Sequence, residues 1–245
     1  VNVSKTSFDG ISLSVDKSIL SKVDNEYATL SAQLTISGSP ASISGQAVTF
    51  EVRKSSDDSL VTTLSGDTNS SGIASVSYAS QGVGNVKVQA FCGSFVTESF
   101  AIRDAVYYNS GTITTATELT GLSIPTNFVA TFKVKRASGS SSNSSWLEVG
   151  SNSQNCIFGG QDGRDGSIGV YVRVNNTYEK YEHSNDRVLS VNVETPVEFR
   201  YDNGSISVKA NTTTKSLTSS TITARSYVKT NITSNQMKEL LIMPL

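Results

Sequence analysis

Trp146, Tyr171, Arg173, Tyr178 and Tyr181 combine residue types and spacing suited to holding a saccharide. Sugar recognition stacks an aromatic ring on the apolar face of a pyranose while amides, hydroxyls and charged groups take its OH groups, and each ring brings a large contact area at low entropy cost. Tyr171 and Arg173 fall on the outward face of an alternating run, and Tyr178 and Tyr181 lie just beyond the Asn175-Asn176 turn that ends it. Trp146 carries a competing reading as a core residue, because it opens the short, half-apolar stretch Trp146-Leu147-Glu148-Val149.

A second chemistry sits in the loop Gly159-Gly160-Gln161-Asp162-Gly163-Arg164-Asp165-Gly166. The carboxylates of Asp162 and Asp165, with neighbouring backbone carbonyls, form a candidate calcium site, since calcium takes oxygen ligands in tolerant geometry. The alternative is that the Asp-Gly pairs simply make turns and that Arg164 neutralises them. No other cofactor is indicated.

Catalytic chemistry is poorly supplied. His183 is the single histidine, so a Ser-His-Asp set would depend on it alone, and it reads as a solvated loop residue. Cys92 and Cys156 fall in different domains, which excludes an intradomain disulfide and leaves buried or free thiols. A glycosidase needs paired carboxylates about 5 to 10 Å apart. Glu148 is isolated, Glu179 and Glu182 flank Tyr181 without strand alternation, and Glu194 and Glu198 border Pro196.

These residues are positioned by short strands. Ile11, Leu13 and Val15 alternate, as do Ala28 through Ile36, then Val48, Phe50 and Val52. After Gly72, Ala74, Val76 and Tyr78 share one face, and Val86, Val88 and Ala90 resume the alternation beyond Gly82 and Gly84. A hairpin around Cys92-Gly93-Ser94 leads into a last strand from Phe95. Farther on, Phe128 to Val134 and Ile168 to Val174 each present an apolar face, residues 137 to 145 read as a Ser-rich loop, and Asn203-Gly204 marks a tight hairpin. Met237 to Met243 supplies a closing strand, and no segment has helical periodicity.

A chain of 245 residues accommodates two ordinary domains. A formal net charge of -1 provides no basic stripe, which argues against nucleic acid as a partner. No apolar run approaches the roughly 20 residues of a membrane helix, so direct membrane insertion is not expected. Charged residues make up only 17%, with Ser, Thr, Asn and Gly plentiful, the profile of a secreted β protein. Val1 opens the chain without a Met or an apolar leader, as expected of a processed chain or a piece of a longer one.

The blocks Leu13 to Val15, Leu30 to Leu34, Gly45-Gln46-Ala47-Val48-Thr49-Phe50, Gly72-Ile73-Ala74 and Val86 to Ala90 resemble, in order and spacing, a bacterial Ig-like module of the invasin and intimin kind. That resemblance implies a rigid spacer that does without the inter-sheet disulfide of antibody domains. The strands at Phe128, Trp146 to Gly150, Ile157-Phe158-Gly159, Gly169 to Arg173 and Val197 to Lys209 resemble concanavalin-like and laminin G-like jelly rolls. Such jelly rolls divide into lectins and glycosidases, and the E-x-D-x-x-E strand of the retaining glucanases is not found here. The expected fold class is all-β: two β-sandwiches, an Ig-like domain followed by a concanavalin-like jelly roll. A linker is expected over 1–10, the Ig-like spacer over 11–103 and the jelly roll over 104–245.

The expected function is a non-enzymatic attachment protein, extracellular on a cell or virion surface, in which the spacer presents a lectin-like sandwich to a glycan or protein receptor. The alternatives are a structural virion or envelope component that self-associates through its sandwiches, and a glycosidase whose carboxylates come from separate strands.

Overall fold

The computed structural model describes residues 7–120, 122–137, 144–162 and 166–223, together with 226–232 and 235–245, Asp162 by its backbone only. Period-two alternation yields strands throughout and no helix among the described residues, so none is long and apolar enough to cross a membrane. The chain divides into two units between Ala105 and Val106. Each is a β-sandwich, and the protein is all-β.

The first unit contains β1 (Gly10–Val15), β2 (Ile19–Ser21), β3 (Tyr27–Ile36), β4 (Ser39–Pro40), β5 (Ala47–Lys54), β6 (Leu60–Asp67), β7 (Ile73–Ala79), β8 (Gly84–Cys92), β9 (Phe95–Val96) and β10 (Phe100–Ala105). One sheet runs β1-β3-β4, with β7 also on β3; the other runs β2-β10-β8-β5-β6, with β9 on β8. Their inward faces meet in a single core to which β3 gives Leu30 and Leu34, β5 gives Val48, Phe50 and Val52, and β8 gives Val86 and Val88. The Ala74 and Tyr78 face of β7 closes it.

Several details depart from the alternation. Ile36 continues the β3 pattern on paper but is exposed, because the strand ends there and Ser37 turns with a positive φ of 51°. Phe8, within the expected linker, packs against the core and meets the Phe95 ring at 5.2 Å, so the sandwich begins before Ile11. The chain after Cys92 makes two separate pairings with β8, through β9 and then β10, with irregular backbone between them. Strand β2 pairs with β10 in parallel.

Gly72 shows why the Gly-Ile-Ala block has the composition it does. Its φ is +76°, and a Cβ there would lie 1.8 Å from the Ala41 carbonyl oxygen. The Gln33 side-chain amide fills the same corner, donating to the carbonyls of Leu34 at 2.9 Å and Ser71 at 3.1 Å. Gly72→Ala is therefore expected to destabilise the first unit by about 2 to 5 kcal/mol, combining backbone strain with overpacking. Calorimetry of the full chain should show a lowered transition; an unchanged one would remove Gly72 as a structural requirement.

The second unit contains β11 (Tyr107–Ile113), β12 (Thr117–Glu118), β13 (Phe128–Arg136), β14 (Ser144–Asn152), β15 (Asn155–Asp162), β16 (Ser167–Val174), β17 (Thr177–His183), β18 (Glu194–Asp202), β19 (Ser205–Ala210), β20 (Thr213–Thr218), β21 (Tyr227–Thr230) and β22 (Asn235–Pro244). Two six-stranded sheets form a jelly roll, ordered β11-β22-β13-β18-β19-β20 and β12-β21-β14-β15-β16-β17. The chain crosses between sheets at both ends and meanders through β14 to β17 and β18 to β20. Asn175-Asn176 and Asn203-Gly204 make the tight hairpins with positive φ at both central residues. Strand β14 starts at Ser144, inside the stretch read as a loop, and the closing strand β22 lies between β11 and β13.

Both cysteines are buried and free. His183 ends β17 opposite Gly169 instead of occupying a solvated loop.

Candidate functional site

The second sheet of the second unit has an inner face of Val149, Ile157, Val170 and Val172 and an outer face that carries the polar chemistry. Register sets the outer rows. Glu148 of β14, Phe158 of β15, Tyr171 of β16 and Tyr181 of β17 are successive cross-strand partners, and Gly150, Cys156, Arg173 and Tyr178 form the next such row. Between them lies a cavity of about 170 Å³ walled by Glu148, Phe158, Tyr171, Arg173 and Tyr178. Ser144, Ser145, Gln161 and Asn231 complete its lining.

Its electrostatic centre is an ion pair. Glu148 is only 2% exposed, and its Oε1 accepts from Arg173 Nη2 at 3.0 Å and from Ser145 Oγ at 2.5 Å. Oε2 accepts from the Tyr227 hydroxyl at 3.3 Å. Burial, reinforced by the Glu148 charge, pushes the Tyr227 phenol well above its usual range, so it stays a donor. Asn231 Nδ2 in turn donates to Ser145 Oγ at 3.3 Å. Cys156 lies in the Arg173 row, and burial pushes its thiol up to about 11, which keeps it protonated and inert at neutral pH.

Aromatic rings form the apolar side. Tyr171 stacks on Phe158 with centroids 4.8 Å apart and planes at 13°, and Tyr178 leans on both rings at 5.9 and 6.1 Å. The Arg173 guanidinium lies 5.0 Å from the Phe158 centroid. Gly169 makes the arrangement possible: a Cβ there would lie 2.5 Å from the Tyr171 hydroxyl, so a side chain would lift that ring off the sheet.

The candidates read from the sequence separate accordingly. Tyr171, Arg173 and Tyr178 converge on the cavity, with Tyr178 55% exposed. Tyr181, 59% exposed, shares β17 with Tyr178 but does not line the cavity; its ring lies parallel to the His183 ring at 6.0 Å. Trp146 does not belong: it points into the core and packs edge-on against Phe132 at 6.0 Å. The cause is a β-bulge between Ser145 and Leu147, which inserts Trp146 as an extra inward residue and leaves Glu148 facing out. Asp165 and the side chain of Asp162 lie outside the described residues. Among the described residues, no group of three or more His, Cys, Asp or Glu side chains could hold a metal ion.

Glu148, Phe158, Gln161 and Asn231 were not singled out as ligands from the sequence. The only signal available was the outward parity of Glu148 and Phe158 once the bulge is placed.

No family model and no curated protein matches the chain. Among solved structures it is similar to a homodimeric agglutinin from chicken liver, at 12% identity and a TM-score of 0.40, covering 52% of this chain and 95% of that one. It is also similar to Xenopus laevis galectin-Ib, at 13% identity and a TM-score of 0.43, covering 52% of this chain and 98% of that one. A third similar structure is toad ovary galectin with N-acetylgalactose, at 12% identity and a TM-score of 0.43, covering 51% and 96% respectively.

Proposed function

We propose that the chain is a non-enzymatic attachment protein whose second unit binds a surface glycan at the Glu148–Arg173 cavity. The first unit, in this reading, is an Ig-like spacer of the invasin and intimin kind, and the protein works outside the cell, on a cell or virion surface. The observation that carries the reading is the composition of the cavity wall. Solvent-facing Tyr171 and Tyr178 rings stand beside a buried ion pair and side-chain amides, the pairing of stacking surface and directional hydrogen bonds that a pyranose demands.

Glu148 is the one carboxylate among the described residues lining the cavity, and its oxygens are already held by Ser145, Arg173 and Tyr227. Hydrolysis by an acid and base pair needs a second carboxylate at the same site, so the cavity favours binding over cleavage.

The test is binding of the labelled full chain to an array of microbial and host glycans, with and without a calcium chelator. Saturable binding is expected. The chelator arm reports on the Asp162 and Asp165 loop, where loss of the signal would support calcium and retention would remove it. Replacing Tyr178 and Tyr181 together by Ala should weaken binding roughly tenfold or more while leaving the fold intact, because both rings are exposed. Unchanged affinity would move the site elsewhere.

A second reading, a structural component that assembles with copies of itself, is favoured by β17. That strand lies at the sheet edge, and its residues are exposed from Thr177 to Glu182. Silence on the array together with concentration-dependent assembly would establish it in place of the first.

A further inference from the structure

Strand β17 ends its sheet, as β20 ends the other, and every residue from Thr177 to Glu182 is exposed. A register shift opposite Val172 and Arg173 gives this edge a symmetric order of faces. Thr177, Lys180 and Glu182 stand opposite Val174, Val172 and Val170, which pack in or against the core, so they lie on the side between the sheets. Tyr178 and Tyr181 stand opposite Arg173 and Tyr171, on the outer face. Glu179 is the extra residue of the bulge. It turns to the side between the sheets, where its Oε1 accepts from Thr221 Oγ1, just beyond β20, at 3.3 Å. Lys180 Nζ donates to the Thr218 carbonyl at 3.0 Å, and both side chains line a groove of about 510 Å³ between β17 and β20. From 177 to 182 the faces therefore run inner, outer, inner, inner, outer, inner, the same in either direction.

In an antiparallel pair, side chains that face each other lie on the same side of the sheet. Two copies related by a two-fold axis normal to the sheet match only when that axis falls between Glu179 and Lys180. Tyr178 then faces Tyr181, Thr177 faces Glu182, and Glu179 faces Lys180 on both sides of the axis. A shift of one residue either way opposes inner to outer side chains and sets Lys180 against Lys180 or Glu179 against Glu179. A bulge usually protects an edge from pairing. Here both strands carry it at the axis, so equal lengths of chain face each other.

We propose that β17 pairs antiparallel with β17 of a second copy about that axis, joining two six-stranded sheets edge to edge. The occupant of the edge is a second copy because the strand complements its own charges and its own order of faces. Tyr181 of each copy then stands beside Tyr178 of the other, adding a ring at the rim of the cavity. One strand pair buries less than a standard interface, so the dimer forms reversibly with concentration. The inference gives the self-association reading above its surface and register, and it does not depend on the glycan reading.

The experiment is sedimentation velocity of the full chain over a concentration series. The wild-type chain should pass from monomer to dimer, and added salt should shift it back. Lys180→Glu sets carboxylates against Glu179 of the other copy, and Glu179→Lys sets ammonium groups against its Lys180. Each should weaken dimerisation at least about tenfold, and both should fold, since the two positions are exposed. The double variant Glu179→Lys with Lys180→Glu restores opposite charges in exchanged order. It should dimerise like the wild-type chain although it lacks the Lys180 bond to Thr218, a recovery that a role confined to one copy would not produce. A dimer that survives both single reversals would place self-association on another surface and overturn the proposal, as would a double variant no better than the singles. A wild-type chain that stays monomeric at every concentration would overturn the proposal together with the self-association reading. The glycan array reports separately, because Glu179 and Lys180 do not line the cavity.

Discussion

Asp104→Ala is expected to lower the stability of the first unit by about 3 to 5 kcal/mol, among the largest losses available from one side chain in that sandwich. Asp104 is fully buried near the end of β10, where its carboxylate gathers donors from the end of β7 and the turn after it. Tyr78 donates to Oδ2 and Ser80 Oγ to Oδ1, each at 2.5 Å, and the backbone amides of Gln81 and Gly82 reach Oδ1 at 3.1 and 3.0 Å. Removing the carboxylate strands the Tyr78 hydroxyl in the core and leaves those amides without their acceptor, and each lost bond to a charged group costs about 1.5 to 3 kcal/mol before relaxation. Burial, with Asp104 beside it, pushes the Tyr78 phenol far above its usual range, so it cannot escape by ionising.

Two further substitutions order the effect. Asp104→Asn retains the volume and one acceptor but turns an N–H₂ toward existing donors, so an intermediate loss is expected. Tyr78→Phe removes a single bond and should cost about 1 to 2 kcal/mol. Urea denaturation of the full chain should rank them Asp104→Ala, then Asp104→Asn, then Tyr78→Phe. An alanine variant no less stable than the phenylalanine variant would show that the carboxylate does not hold β7 to β10.

The sandwiches were legible because their core strands keep the period of two. Val48, Phe50 and Val52, or Val170 and Val172, bury the expected face, and Asn203-Gly204 adopts the turn its residue types favour. Short or atypical pieces were not legible. Strands β2, β9 and β12 run two or three residues, too few for any pattern, and β2 is held by pairing with a segment far along the chain. The same limits apply at the site. Tyr171 and Arg173 could be placed outward from parity alone, since β16 is regular. Glu148 could not, because the bulge beside it makes Trp146, Leu147 and Glu148 buried in succession, and its partners come from β16 and β21. That bulge also turned Trp146 from a candidate stacking ring into core. Gln161 was hidden in a loop whose glycines and aspartates suggested a turn or a cation, whereas its neighbours place it at the end of β15 against Asn235.

Glu148→Ala carries the second large effect, and it separates binding from architecture. Deleting one partner of a buried ion pair leaves an uncompensated charge and is expected to cost about 3 to 5 kcal/mol. Here Arg173, with its side chain only 18% exposed, would lose its counter-charge, while Ser145 and Tyr227 would lose their acceptor. Lost affinity in that variant alone would therefore be ambiguous, since the sheet around the cavity is itself weakened. The double variant Glu148→Leu with Arg173→Met resolves it. Well-packed apolar residues of similar volume commonly replace a buried ion pair at no cost or with a gain in stability. The double variant should accordingly regain most of the lost stability in urea. Glycan binding should nevertheless stay abolished, because the polar groups that orient the ligand are gone while the Tyr171 and Tyr178 platform remains. Recovery of stability without binding would mean that the pair is retained for recognition at a site where an apolar patch would fold equally well. A double variant that binds glycans like the wild-type protein would remove the cavity from the recognition surface altogether.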